Sequence, residues 1–334
     1  MTILVTGAAG FVGSHLVKLL HSSGEQVVAL DSFNDYYSPE LKHLRINRIV
    51  PSEVNVVDID LSDRKKLSLF MEKSKPKVVY HMAAQAGVRV KIEETEKYVS
   101  SNLVGFTNIL EQCVTNKVPN FLFASSSSVY GNSINSPFVE TDTSISPISF
   151  YGATKLSNEY MAKSMVRGSL TKARGLRFFT VYGPWGRPDM AYFRIANSLI
   201  NEKVFRLFGD GDAIRDFTFI DDTTKATIEL GKDLSTRTDP GYFDIVNIGG
   251  GSPHSMKDLI REFETVSNQK LKIEYTEKIE KDVNLTIADP TYLKKLTDFT
   301  PQISLKVGVQ KFFDWAKDVS ISPKLDSWYQ SVKE

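Results

Sequence analysis

Thr6-Gly7-Ala8-Ala9-Gly10-Phe11-Val12-Gly13 is the stretch from which the fold follows. A short apolar run at 2–5 feeds into it and an amphipathic stretch at 11–22 leads out, so this G-x-x-G-x-x-G turn joins a strand to the start of a helix. Glycines there permit a tight turn, close approach of backbone to a pyrophosphate and close packing of helix on sheet. The helix N-terminus favours the phosphate charge. The second strand ends in Asp31, 18 positions beyond Gly13 (31 − 13), near the roughly twenty expected for a carboxylate that holds ribose hydroxyls. Its charge would repel a 2′-phosphate, which favours NAD over NADP.

Outward from this turn the same rhythm repeats. Runs rich in Val, Ile, Leu and Phe at 2–5, 26–30, 54–57, 77–80, 120–124 and 176–181 read as buried strands. Amphipathic stretches at 11–22, 40–49, 64–73, 98–115 and 150–166 read as helices. Strict alternation over about 180 residues predicts an α/β fold: a doubly wound, Rossmann-like parallel sheet covered on both faces, followed by a smaller C-terminal lobe. The rhythm breaks in the Gly/Pro-rich stretch 182–188, placing a soft boundary between a cofactor domain, 1–181, and a substrate lobe, 182–334. Strands expected at 217–220 and 244–248 suggest that segments near 213–249 return to the first domain. The charged run 277–282 reads as a solvated loop.

Composition narrows the function. The 334 residues are 41% hydrophobic and 24% charged, the balance of a soluble globule, and 41 Lys+Arg against 40 Asp+Glu leave a formal charge of +1. No global field draws the chain to nucleic acid or to an anionic membrane, so a phosphate ligand needs a local site. The single cysteine, Cys113, excludes an internal disulfide and a cysteine-based metal cluster, reads as a small buried hydrophobe, and fits a reducing compartment. No apolar run reaches membrane length, and no metal ligand set is read; the expectation is a cytoplasmic protein.

Polar residues gather where open α/β sheets bind ligands, at strand C-termini. Asp60 follows the third strand, His81 to Gln85 the fourth, Ser125 to Ser128 the fifth, and Thr180 ends the sixth. His81 is expected to be packed and hydrogen-bonded rather than catalytic. Tyr151 and Lys155 lie four residues apart at the start of a helix, on one face. A phenol is a poor base at neutral pH, but an adjacent ammonium and an oxidised nicotinamide would stabilise its phenolate and make Tyr151 a general base.

Together, the glycine turn, Asp31, His81-Met82-Ala83-Ala84, the serine run before Val129-Tyr130-Gly131, and Tyr151 with Lys155 resemble the extended short-chain dehydrogenase/reductase family that modifies nucleotide sugars. The resemblance covers nearly the whole chain. Leu30-Asp31-Ser32-Phe33-Asn34-Asp35-Tyr36-Tyr37 and the stretch 178–191 are more specific and resemble that family's UDP-glucuronate 4-epimerases. The resemblance implies a UDP-sugar substrate and tightly held NAD, on Gly7, Gly10, Phe11, Val12, Gly13, Asp31, Ser32, Asn34, Asp60, Leu61, Ala83, Ala84, Asn102, Tyr151 and Lys155. Tyr151 would take the sugar 4-OH proton, Ser126 would hydrogen-bond the same oxygen, and Lys155 would hold the nicotinamide ribose and lower the tyrosine pKa. It also implies a homodimer through the helices at 98–115 and 150–166.

Members that dehydrate or decarboxylate the keto intermediate resemble one another in carrying acids just before the Val-Tyr-Gly, where this chain has Ser127 and Ser128. Those hydroxyls and Thr180 suit a uronate carboxylate, which must be restrained because a 4-keto uronate is a β-keto acid prone to lose carbon dioxide. Arg187 and Arg215 suit phosphate oxygens or surface ion pairs, and Gly87 with Arg89 borders the sugar or phosphates. The chain departs from the family near 281–283, where a glycine usually precedes the aspartate, so no role is carried there. The alternatives are epimerisation of a neutral UDP-hexose, dehydration or decarboxylation (disfavoured by Ser127 and Ser128), and a nucleotide sensor without catalysis.

Overall fold

The computed structural model of the chain describes residues 1–133, 135–278 and 283–332. Lys281 and Asp282, where the sequence departs from the family pattern, and most of the charged run 277–282 lie outside the described residues. In chain order the elements are β1 (Thr2–Thr6), α1 (Phe11–Ser22), β2 (Gln26–Asp31), α2 (Pro39–Arg48), β3 (Val56–Asp58), α3 (Arg64–Ser74), β4 (Val78–His81), α4 (Thr95–Tyr98), α5 (Phe106–Thr115), β5 (Asn120–Ser126), α6 (Phe150–Val166), β6 (Lys172–Phe178) and β7 (Thr180–Tyr182). Then follow α7 (Ala191–Ile200), β8 (Phe205–Phe208), β9 (Ile214–Phe219), α8 (Ile220–Thr236), β10 (Phe243–Ile248), β11 (Pro253–Ser255), α9 (Met256–Ser267), β12 (Ile273–Thr276), β13 (Leu285–Thr286), α10 (Thr291–Thr297), α11 (Leu305–Lys317) and α12 (Leu325–Gln330).

Seven parallel strands form the main sheet in the order β10-β6-β5-β4-β1-β2-β3. Its strands are mainly apolar because both faces are covered, with β6 the exception in burying Lys172, Arg174 and Arg177. Ile3, Val5, Val78, Tyr80 and Leu122 point into the core beneath α1, α8 and α10. Their chain neighbours Leu4, Val79, Phe121 and Phe123 point into the opposite core beneath α3, α5 and α6. This two-residue alternation, buried on either side, produces the predicted doubly wound sheet. Strand order reverses between β1 and β4, and all strand C-termini open on one edge, which places Thr6, Asp31, His81 and Ser126 beside one crevice.

The predicted sixth strand, 176–181, is two strands. Phe179 N–H donates to Ile248 O at 3.0 Å; before it β6 belongs to the main sheet, and after it β7 pairs with β9 in a second, four-stranded sheet with β11 and β13. The chain thus crosses between sheets at the crevice, with Thr180 at the crossing. Of the two later strands expected from the sequence, β10 enters the main sheet beside β6, whereas β9 builds the second sheet. This half has its own core, in which Tyr182, Tyr192, Phe193, Phe217, Phe263, Phe312 and Trp328 are buried.

The helix predicted over 98–115 is also interrupted. α4 runs into a π-helical stretch, Val99–Gly105, before α5 resumes the α pitch. The wider turn swings Asn102 inward, where it is buried.

Candidate active site

A cavity of about 890 Å³ lies between the main sheet's C-terminal edge and the second half, and the glycine turn forms one end. Gly7 adopts a φ of +70°, and a Cβ there would lie 2.7 Å from Ala83 N, so only glycine fits the conformation and the close approach. A Cβ on Gly13 would overlap the Gly7 carbonyl oxygen. No described side chain caps α1 at Gly10, and its first turn carries no acid, leaving a positive helix end with backbone donors for an anion. The Asp31 carboxylate accepts from Ala9 N at 2.9 Å and Phe33 N at 2.8 Å, which fixes it against the turn while it faces the cavity. This glycine cradle, uncapped helix and carboxylate fit a dinucleotide.

The rest of that wall is built by short polar ties. Asp60 accepts from Ser62 N at 2.8 Å, and Asn34 accepts from Lys42 Nζ at 2.6 Å and donates to Gln85 at 3.3 Å. Phe11, Val12, Ser32, Leu61, Ala83 and Ala84 complete the surface. Asn102 does not reach it. Its amide donates to Gln85 O at 3.0 Å and Thr154 Oγ1 at 3.1 Å and accepts from Gln85 N at 2.7 Å, bracing the loop after β4 against α6 from behind.

At the other end β5 delivers the serine run. Ser126 Oγ donates to Ser128 Oγ at 3.0 Å and accepts from Ser128 N at 3.1 Å, while Ser125 is tied at 2.5 Å to Glu159, itself paired with Arg177 at 2.8 Å. Ser149 caps α6 by accepting from Gly152 N at 3.0 Å. A Cβ on Gly152 would lie 2.6 Å from Ser128 O, so the missing side chain lets the first turn of α6 dock on the serine run. That docking brings Tyr151 and Lys155 to the wall shared by Ser126, Ser127, Ser128 and Thr180.

Lys155 is 1% exposed, and its Nζ donates to Ala124 O at 2.9 Å, 5.7 Å from the Tyr151 ring centroid. Burial pushes its pKa down to about 7. Burial raises the Tyr151 pKa, against which act first the charge of Arg187 and then a hydrogen bond with Ser126. Two cations therefore bear on the phenol: the Arg187 charge opposes the effect of burial, and Lys155 Nζ lies over the ring. Arg187 forms a two-pronged ion pair with Asp189, Nε to Oδ1 at 3.0 Å. His81, buried against Phe106 and Phe121, shares a 2.8 Å hydrogen bond with Thr6, and burial, with the Lys155 charge, lowers its pKa to about 3. It is a neutral packing residue.

Arg215 faces the cavity from β9, with Nη1 donating to Ile214 O at 2.9 Å. Arg89 follows Gly87 at the rim, and its guanidinium lies 4.7 Å over the Phe208 ring. Sequence reasoning missed Lys42 and Arg45, which α2 turns inward. Arg45 is fully buried and donates to Ala9 O at 3.1 Å, Tyr37 OH at 2.6 Å, Trp185 O at 2.8 Å and Gly186 O at 3.0 Å, binding the glycine turn to the Gly/Pro-rich stretch. Tyr36 and Asp189 stood inside the two most specific stretches but had been given no role.

A family model described as the NAD dependent epimerase/dehydratase family matches residues 3–249. The chain is 39% identical over 327 residues to Protein CapI of Staphylococcus aureus, covering 94% of this chain and 98% of that one. It is 39% identical over 330 residues to UDP-glucuronate 4-epimerase 3 of Arabidopsis thaliana, covering 94% of this chain and 76% of that one. Among solved structures it is similar to UDP-glucuronic acid 4-epimerase from Bacillus cereus in complex with UDP-glucuronic acid and NAD, with a TM-score of 0.88 and 34% identity over 96% of this chain and all of the other.

Proposed function

The chain belongs to the NAD dependent epimerase/dehydratase family, and from that premise we propose that it interconverts UDP-glucuronate and UDP-galacturonate by inverting C4. The observation that carries this reading is the gathering of Tyr151, Ser126, Ser127, Ser128, Thr180 and Arg187 on one cavity whose far end is the glycine cradle. The turn at Gly7, Gly10 and Gly13 would hold the NAD pyrophosphate, Asp31 the adenosine ribose and Lys155 the nicotinamide ribose. When bound, NAD supplies a reversible hydride acceptor, so a C4 alcohol can become a ketone and return in the other configuration with no net redox change.

The chain's own residues do the remaining work. Tyr151 takes the 4-OH proton and returns it, and Ser126 hydrogen-bonds the same oxygen. Ser127, Ser128 and Thr180 restrain the carboxylate, so that the β-keto acid does not lose carbon dioxide while the ring turns. With serines at 127 and 128 there is no acid at those positions to drive a dehydration. Arg215 and Arg89 receive the diphosphate, and Arg187 supplies charge between it and the reacting end.

The half up to residue 181, completed by β10, holds the cofactor and supplies the groups that act on the sugar, and the part from 182 adds Arg187 and Arg215 for the rest of the substrate. Val99 and Val104 on the π-helical stretch and Phe150 and Tyr160 on α6 are exposed apolar groups that suit a homodimer. No helix among the described residues is long and apolar enough to cross a membrane, and a lone cysteine, buried as Cys113 is, suits a cytoplasmic protein. The test is a proton NMR time course with UDP-glucuronate, with and without added NAD. UDP-galacturonate should appear without a pentose product, and Tyr151→Phe should retain NAD but abolish turnover; an unchanged spectrum from the parent protein would refute the reading.

A further inference from the structure

We propose that Arg45 is a positioning residue that joins the two ends of the site: its guanidinium holds the glycine turn on one side and the Trp185-Gly186 corner that presents Arg187 on the other, so that loading the turn with NAD tightens the hold on the UDP-sugar. The inference deepens the reading above and rests on the turn holding NAD and on Arg187 serving the substrate.

The partners of this fully buried guanidinium are a phenol and three backbone carbonyls, and the carbonyls come from two distant segments. Nη1 donates to Ala9 O at 3.1 Å, while Nε and Nη2 donate to the successive carbonyls of Trp185 and Gly186 at 2.8 and 3.0 Å. A planar fork with five donors in fixed directions can serve both segments at once. Ala9 is gripped at both of its backbone groups, the N–H by the Asp31 carboxylate and the carbonyl by Arg45. Whatever orders the turn therefore orders the guanidinium.

The corner needs that hold. Trp185 has a φ of +65°, a left-handed conformation that a bulky side chain rarely adopts and that persists only where its surroundings impose it. Here they are the two Arg45 contacts, the turn bond from Gly186 N–H to Gly183 O at 3.1 Å, and the packing of Trp185 on Trp315 with ring centroids 5.3 Å apart. Directly after the corner, Arg187 N–H donates to Tyr192 OH at 3.2 Å and the Arg187 side chain lines the cavity. The corner thus has a held, left-handed arrangement that aims Arg187 at the cavity and a relaxed one that does not. The helix that supplies Arg45 is pegged at its start, where Ser38 N–H donates to Ser331 Oγ at 2.7 Å and Glu40 accepts from Trp328 Nε1 at 2.9 Å. A shift at one end of the fork passes to the other end rather than into α2.

The test uses full-length protein carrying Tyr151→Phe to stop turnover, with Arg45 intact or changed to Lys, each with and without NAD. Arg45→Lys keeps the charge but replaces the fork by a point donor that cannot serve both segments. Titration calorimetry gives the UDP-glucuronate Kd: NAD should tighten it by at least about fivefold with Arg45 intact and by no more than about twofold with Arg45→Lys. Hydrogen exchange at the Gly186 and Arg187 amides, which needs no substrate, should slow on NAD loading with Arg45 intact and stay unchanged with Arg45→Lys. A merely structural role would lower the urea midpoint of Arg45→Lys and leave the ratio of affinities and the NAD-induced protection as they are with Arg45 intact, which would overturn the proposal. A ratio near one, or no change in amide exchange, with Arg45 intact would overturn it without any variant at that position. If UDP-glucuronate fails to bind at all, the substrate reading falls, and the amide exchange alone decides the role of Arg45.

Discussion

Lys155→Met separates the stability of this chain from its activity. The folded protein holds the Lys155 ammonium in an apolar setting that lowers its pKa from 10.5 to about 7. Below pH 7 folded and unfolded chains both carry the proton, and the full cost of burying the charge is present. Between pH 7 and 10.5 the unfolded chain binds more protons, so stability rises with pH; above 10.5 neither state is charged. The gap of 3.5 decades (10.5 − 7), at about 1.4 kcal/mol per decade, is a cost of about 5 kcal/mol at pH 6, falling to about 1.5 kcal/mol at pH 9.5. Replacing the ammonium by an apolar chain removes that cost but leaves Ala124 O without its 2.9 Å partner, a loss of about 1–3 kcal/mol at every pH. Cofactor-stripped Lys155→Met should therefore be more stable than the parent by about 2–4 kcal/mol at pH 6, and the advantage should shrink by about 3.5 kcal/mol by pH 9.5. Urea unfolding at several pH values measures both, and NMR turnover should be lost. A stability difference that does not change between pH 6 and 9.5 would refute the argument.

Two further outcomes follow from geometry. Gly13→Ala drives a methyl into the Gly7 carbonyl oxygen and should weaken NAD retention at least about tenfold, read by titration calorimetry; undiminished affinity would remove the turn from the cofactor site. Val104→Glu, at an exposed apolar position on the π-helical stretch, should convert a dimer to monomers in sedimentation velocity with the circular dichroism unchanged. A parent protein that sediments only as a monomer would end the dimer proposal.

What was legible in the sequence was what periodicity and turn chemistry encode. Alternating buried runs forecast the parallel sheet because each main strand buries both faces, and the glycine turn announced itself because backbone must approach backbone at Gly7 and Gly13. The missed features depend on contacts between distant segments. Nothing in the pattern of α2 tells that Lys42 and Arg45 face inward, since their burial depends on carbonyls at residues 9, 34, 185 and 186. The π-helical stretch was invisible for the same reason: Asn102 turns inward to meet Gln85 and Thr154, and local propensity does not record that demand. Four-residue spacing placed Tyr151 and Lys155 on one face, because both fall on the first turns of α6.

The position of β10 bears on how the chain is made. Its pairing with β6 is the last step in completing the main sheet, and it joins residues 243–248 to 173–178. During synthesis the growing chain therefore carries β6 as an open edge, with unpaired backbone donors and acceptors, until about seventy more residues have left the ribosome. Nascent chains of that length are exposed to edge-to-edge association, and at about 5–20 residues per second the exposure lasts roughly 4–14 seconds. The family match ends at residue 249, one position past the strand that closes this edge.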